Sequence, residues 1–290
     1  MPGARCQVPG ARCRVPGAGN TYLVNIFKLY NVKYLSILPL LLFSLLLSAQ
    51  PEHKVAVDNK IIEFSELDRL MIVGYDGDEL KLTQENANRN ADERAQGLRK
   101  ISASGRSDNT GLGLSAKGLD DRVLIEQVGK GEGKIIAYVP NKSVVKVTQS
   151  TYRGGDFSAS NFDGELDVTM HYHKVKLTNT YGPLSINTIY GSIEAAFSDG
   201  PPTQDIRLHS TYQNVDLTLP NNTKADLRLN TSYGSMYTDF DIEVKANGDQ
   251  ADNSNNDSHG DGRMTGLING GGKLVSLTAT YRNIYLRKLK

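Results

Sequence analysis

Beyond residue 164 the chain alternates apolar and polar residues: Leu166, Val168 and Met170, then Val175 and Leu177, then Leu184 and Ile186. A period of two predicts short, half-buried strands. The parity shifts between runs. Tyr172 continues the first run, yet Val175 and Leu177 fall on the opposite parity, and the same reset follows Tyr181 and Tyr233. One spare residue per reset keeps the apolar side chains on one face, as a bulge or corner does. Gly182, Gly191 and Gly234, each directly after a tyrosine, suit the backbone torsions of such a corner.

Aligning on tyrosine shows a repeat: STYRGGDF, MHYHKVKL, NTYGPLSI, TIYGSIEA, STYQNVDL, TSYGSMYT and ATYRNIYL, around Tyr152, Tyr172, Tyr181, Tyr190, Tyr212, Tyr233 and Tyr281. The spacings approximate one solenoid turn of ~20 residues, with Tyr181 to Tyr190 about half of one. The predicted fold is therefore all-β, a single-stranded parallel β-helix (β-solenoid) with a short irregular N-terminal β region. Repetition buries a core shared between units too small to bury one alone. Equivalent tyrosines are expected to form a ladder along one corner, rings inward and hydroxyls toward water. A buried ring would make Tyr190→Ala cost ~3 kcal/mol.

Residues 50–140 lack the motif but contain KIIEF, DRLMIVGY, DELKLT, RVLIEQV and KIIAYVP, read as N-terminal β turns of the coil or a capping layer before the Tyr-repeat region at 141–290. Tyr75-Asp76-Gly77-Asp78 reads as a hairpin turn between two of these strands. ENANRNADERAQGLRK, 85–100, reads as a short surface helix. The polar stretch 246–263 reads as a loop inserted before the last turn of the coil.

Residues 33–49, KYLSILPLLLFSLLLSA, have a basic start, an apolar run short of the ~20 residues a membrane span needs, and a small-residue end. That is the pattern of a secretory signal peptide, assigned to 32–49, with the mature chain starting near Gln50 and carrying no stable membrane span. The tandem PGARCQV and PGARCRV at the start have no apolar periodicity. Residues 1–31 are expected to be a non-native leader, translated upstream DNA, with Val32 the true start. Cys6 and Cys13, the two cysteines, both lie in that leader, so the mature chain is expected to have neither disulfides nor thiol chemistry. Gln50 stands where a lipoprotein would carry its acylated cysteine, which predicts release and not lipid anchoring.

Charge narrows the partners. The 33 basic and 32 acidic residues give a net charge of +1, so no nucleic acid or other polyanion is implied. With 39% hydrophobic residues the chain can bury a core. Trp is absent and Tyr, at 14, is twice as common as Phe, a bias that belongs to the repeat.

The mature chain resembles the bacterial "putative adhesin" family of β-strand repeats, related to head-domain GIN and auto-transporter adhesin-like proteins. The resemblance rests on ADERAQGLRK, NTGLGLSAKG, IIAYVP, the successive TYG and IYG units, and a closing GLINGGGK followed by TYRNIYLRK. It covers roughly residues 55–290, and the closing LINGGG is its most specific piece. It implies a right-handed or similar β-solenoid in the cell envelope.

His171 and His173 flank Tyr172 and by parity point outward, where an i, i+2 pair could offer two metal ligands, but solvated strand histidines are the better reading. Asp252, Asp257 and Asp261 lack the spacing of a calcium loop. Asp156, Asp163, Asp167, Asp205 and Asp216 are candidate carboxylates for a β-helix hydrolase or lyase, although outward strand positions are polar in any case. No nucleophile with a base and no phosphate or dinucleotide motif is seen; no catalytic, cofactor-binding or metal residue is assigned, and no cofactor is expected. The expected function is that of an exported, non-catalytic adhesin or envelope surface-binding protein, secreted or in the periplasm or outer envelope. Its partner would be a glycan, an envelope polymer or a surface protein, bound through outward charges such as Lys174, Lys176, Arg207, Asp216 and Arg228. The alternatives are a β-helix polysaccharide hydrolase or lyase and a purely structural envelope component.

Overall fold

Strands follow the apolar alternation closely. The computed structural model describes residues 52–85, 93–95, 97–130, 133–245 and 262–290, all within one compact unit from Gln50 to Lys290. The leader, the signal-like run, residues 246–261 with Asp252, Asp257 and Asp261, and residues 86–92 and 96 of the expected surface helix lie outside the described residues. Of the stretch 85–100, Glu85 ends β4 (Glu79–Glu85), Glu93–Ala95 form a 3-10 turn, and residues 97–100 are not helical, so the described part of the expected helix amounts to that one turn.

The chain is all-β, and its strands form two large mixed sheets of ten and eleven strands. Through the repeat, each strand leaves one sheet, turns a corner and joins the other. One sheet takes β8 (Val144–Gln149), β10 (Glu165–Met170), β12 (Leu184–Thr188) and β14 (Ile206–Ser210); the other takes β9 (Phe157–Phe162), β11 (Val175–Thr180), β13 (Ile193–Ala196) and β15 (Val215–Leu219). Within a sheet each strand pairs in parallel with the strand two before it: Leu166 lies beside Leu184, Leu184 beside Ile206, and Val175 beside Ile193. In-register pairing aligns equivalent apolar residues into ranks, and the inward ranks from Val145 to Leu286 are almost wholly buried between the sheets.

Spatial order departs from chain order at both ends. β16 (Ala225–Asn230) and β17 (Met236–Thr238) do not pair with β14 and β15. The C-terminal strands β20 (Lys273–Ala279) and β21 (Ile284–Lys288) lie between them, parallel to both neighbours. Near the N-terminus, β2 (Ile61–Ser65) and β3 (Leu70–Tyr75) likewise separate β6 (Arg122–Gln127) and β7 (Lys134–Pro140) from β8 and β9. The strand pair last in sequence is therefore internal in space. Antiparallel strands flank the parallel stacks: β1 (Glu52–Ala56), β4 (Glu79–Glu85) and β5 (Leu114–Gly118) at one end, β18 (Glu243–Val244) and β19 (Arg263–Ile268) at the other.

The Tyr75–Asp78 turn does not make a hairpin. It joins β3 to β4, but β7 lies between them because both edges of β3 are taken by parallel partners, β7 and β9. The glycines after tyrosine also act differently from the expectation. None of Gly182, Gly191 and Gly234 has positive φ. They are sites of close approach: a Cβ would lie 1.8 Å from the Gly164 carbonyl oxygen at Gly182, and 1.9 Å from the His173 and Arg282 oxygens at Gly191 and Gly234. Positive φ falls instead on Asn161 and Asn179, where β9 and β11 end. There Asn179 and Thr180 are both buried, so the parity reset on this side is a bulge.

The NTGLGLSAKG segment is organised by Asp108. Its carboxylate accepts the N–H groups of Thr110 and Gly111 on Oδ1 and of Gly113 on Oδ2, each at 2.9 Å, and the Thr110 hydroxyl at 3.0 Å. Burial acts to raise the Asp108 pKa, but these hydrogen bonds together outweigh it and hold the group below its ordinary 3.8. A depressed carboxylate contributes stability that is present above the unfolded value and is lost as pH falls through the folded one. The thermal-midpoint gap between wild type and Asp108→Ala is therefore expected to narrow as pH drops from about 5 to about 2. A constant gap in thermal melts over that range would count against a charged Asp108 as organiser.

Candidate functional site

Six of the seven repeat tyrosines meet at one corner. They lie where the chain passes from the sheet of β8 to the sheet of β9, and they stack in the order 152, 172, 190, 212, 281, 233, which is the strand order in space. Ring centroids are 4.9 Å apart and within 8° of parallel from Tyr190 through Tyr212 and Tyr281 to Tyr233. Tyr172 stacks on Tyr190 at 5.4 Å, and Tyr152 meets Tyr172 edge-on at 6.5 Å. Tyr152 is offset because its corner is three residues longer than the next: Gln149 pairs with Met170 and Phe157 with Val175, and one of the extra residues precedes Tyr152.

The rings are not inward. Alternation ends at the buried Met170, and Tyr172 stands on the outside of the turn. The four inner rings are 40–48% exposed, while Tyr152 and Tyr233 at the ends reach 67% and 73%. That difference follows from stacking: inner rings lose both faces to neighbours and show their edges, while each end ring keeps a face. An exposed ring in a stack contributes about 1 kcal/mol beyond its burial, so Tyr190→Ala is expected to cost ~1 kcal/mol, against ~3 kcal/mol for Ile193→Ala at a fully buried position. Urea melts of the two variants check the order. Equal losses would mean that the corner rings carry core packing.

Backbone and hydroxyl groups hold the corner. The N–H groups of Tyr190, Tyr212 and Tyr281 donate to the carbonyls of His171, Ile189 and Thr211 at 2.7–3.0 Å, extending the ladder past the strand ends. Inside, a hydroxyl two residues before the tyrosine staples the turn. Thr188 and Ser210 both donate to the Gly191 carbonyl, at 2.7 and 2.8 Å, and Thr231 accepts from Gly234 N–H and donates to the Arg282 carbonyl. The recurring Thr-x-Tyr and Ser-x-Tyr was the signal for this, and an alignment on tyrosine alone passes over it.

Tyr181 sits at the opposite corner, edge-on to Phe197 at 5.6 Å, and does not join the stack. Burial, then the charge of Asp199, pushes its hydroxyl above the ordinary pKa. His171 and His173 belong to the turn after β10 and not to a strand face, so the i, i+2 geometry expected of them does not arise. Among the described residues no group of three or more His, Cys, Asp or Glu is placed to hold a metal ion.

The five candidate aspartates are dispersed. Asp167 belongs to the β8 sheet and Asp216 to the β9 sheet, while Asp163 and Asp205 lie in turns before β10 and β14 and Asp156 lies in a turn at the opposite corner, before β9. Several are already engaged: Asp156 accepts Lys174 N–H, Asp205 accepts Leu274 N–H, and Asp216 holds Arg287 through two oxygens at 2.9–3.1 Å. The outward charges expected to attract a polymer are largely paired too, Lys174 with Glu194 at 2.7 Å and Arg207 with Asp205 at 3.4 Å. What remains as a continuous, repetitive surface is the tyrosine corner.

No protein-family model matches the chain, and no curated protein matches it. Two solved structures are similar to it. One is a putative cell adhesion protein from Clostridium sporogenes, 14% identical, with a TM-score of 0.42, covering 83% of this chain and 100% of its own. Another is a putative adhesin from Bacteroides fragilis, 10% identical, with a TM-score of 0.28, covering 83% of this chain and 98% of its own. Neither likeness is close enough to carry a function to this chain.

Proposed function

We propose that the chain is an exported, non-catalytic, adhesin-like protein that binds an extended polymer of the envelope or extracellular matrix through its tyrosine corner. The observation that carries this reading is the row of six exposed rings, five of them in a continuous face-to-face stack. Sites repeated at the strand spacing let weak contacts along a polymer add. The strand order supports reading the two sheets as one single-stranded parallel β-helix, with residues 50–140 supplying its first turns and cap. Dispersed, structurally engaged aspartates give the hydrolase or lyase alternative no paired acid and base to build on.

Export rests on the signal-like residues 32–49, and no helix among the described residues is long and apolar enough to cross a membrane. N-terminal sequencing of protein from its native cell is expected to begin near Gln50, and peptides containing Cys6 or Cys13 would contradict the leader assignment. The binding reading is tested by incubating the purified protein with envelope extracts and a polymer panel while following retention and new reducing ends or unsaturated products together. Retention without turnover is expected. Turnover lost on replacing one aspartate would replace this reading with the enzyme, and neither retention nor turnover would leave the structural role.

A further inference from the structure

The corner is flanked by a strip without charge. Just before the turn, the outward rank of the β8 sheet runs Thr148, Thr169, Asn187, His209, Thr278, Asn230, aligned by parallel pairing from β8 to β16. The next outward rank, at the strand ends, is Ser150, His171, Ile189, Thr211, Thr280, Ser232, and the tyrosines follow one residue later, or two at Tyr152. Across three ranks and six strands there is no Asp, Glu, Lys or Arg, in a chain of which 22% is charged. Charges resume on either side: Lys146, Asp167, Arg207 and Arg228 in the rank upstream, Arg153 and Arg282 directly after their tyrosines. Burial holds His209 below its ordinary 6.5, which favours the uncharged imidazole.

We infer that this strip is a binding site for an uncharged, unbranched polysaccharide lying across the strands, parallel to the tyrosine stack. The inference rests on the binding reading above and names its ligand class. A polyanion would need cations along the strip, and the Arg153 guanidinium, 5.8 Å from the centroid of the end ring Tyr152, reaches only its margin. A polycation would need carboxylates along the strip or open ring faces; Glu66 meets the strip only at its end, where it accepts the N–H and hydroxyl of Ser150, and the inner ring faces are covered by their neighbours. An extended peptide adds to a sheet at an edge, along the strands, whereas this strip crosses strands whose backbone groups are already paired. A neutral sugar chain asks for what the ranks offer: hydroxyl, amide and imidazole donors and acceptors at the ~4.8 Å strand spacing, beside ring edges that pack against its C–H groups.

The test is affinity electrophoresis of the purified protein through gels containing hydroxyethylcellulose, a soluble mixed-linkage glucan, polygalacturonate or chitosan, at low and at 1 M salt. Retardation by at least one uncharged polymer, unchanged by salt, is expected. Tyr212→Ala combined with Tyr281→Ala should weaken it about tenfold or more, and Asn187→Arg, an exposed change that leaves the core alone, should weaken it independently. Circular dichroism shows that each variant is folded. Retardation only by a charged polymer and relieved by salt would overturn the inference while leaving the broader binding reading intact. So would retardation by a neutral polymer that both folded variants keep in full. No retardation by any of the four, with retention still seen on envelope extracts, overturns the inference alone; no retention anywhere overturns both.

Discussion

Deleting residues 273–290 is expected to abolish cooperative folding, although it removes only the last two strands of the chain. β20 and β21 are not an outer layer. They lie between β14 and β16 and between β15 and β17, and each supplies a hydrogen-bonded edge on both sides. Their inward residues Val275, Leu277, Ala279, Ile284 and Leu286 are fully buried. At ~1.5–3 kcal/mol for each large apolar side chain, the loss is about 6–12 kcal/mol, comparable to the whole stability of an ordinary domain. The deletion would also bare the edges of β14 and β15, which invites aggregation. Urea unfolding followed by circular dichroism is expected to show no sharp transition, with the truncated protein associating on gel filtration. A cooperative transition near the intact midpoint would show that this strand pair is dispensable and its internal position wrong.

Gly182→Ala is expected to cost ~3 kcal/mol or more, far above an ordinary surface change. The new Cβ would lie 1.8 Å from the Gly164 carbonyl oxygen and 2.7 Å from that of Asp163, and backbone cannot yield as a flexible side chain can. Relief requires the corner before β12 to move off the corner before β10, which loosens the in-register pairing of Leu166 with Leu184. Gly270→Ala provides the contrast: φ is +82° with open space around it, so the penalty is the ~1–2 kcal/mol of a left-handed backbone alone. Chemical denaturation of both variants decides between them. A loss at Gly182 no larger than the loss at Gly270 would mean that the two corners are not held in close approach.

Local pattern was enough to read the strands, the corners and the ladder. Leu166, Val168 and Met170 announce a half-buried strand, and the spare residue after each tyrosine announces a turn, because both depend on neighbours in sequence. Ring direction was not legible in the same way. Tyrosine at a strand end continues the inward parity of Met170 on paper, yet its amphipathic ring is equally satisfied outside if a neighbouring ring covers its face. The place of residues 273–288 was hidden for a different reason: their alternation fits any strand pair of the repeat, and pairing with β14 and β16 leaves no local mark. The uncharged strip emerges only when strand register sets Thr169 beside Asn187 and His209, which are about 20 residues apart in the chain.

The stacked tyrosine corner, and not a charged face, is the proposed contact with a partner. Ring-labelled tyrosine NMR tests it most directly, with the neutral polymer that retards the protein titrated into the purified chain. Resonances of Tyr190, Tyr212 and Tyr281 are expected to shift together and saturably, while Tyr181 at the opposite corner and Tyr285 on the outer face of the other sheet stay in place. Shifts confined to Tyr181 or Tyr285, or retention with no tyrosine of the stack moving, would contradict it.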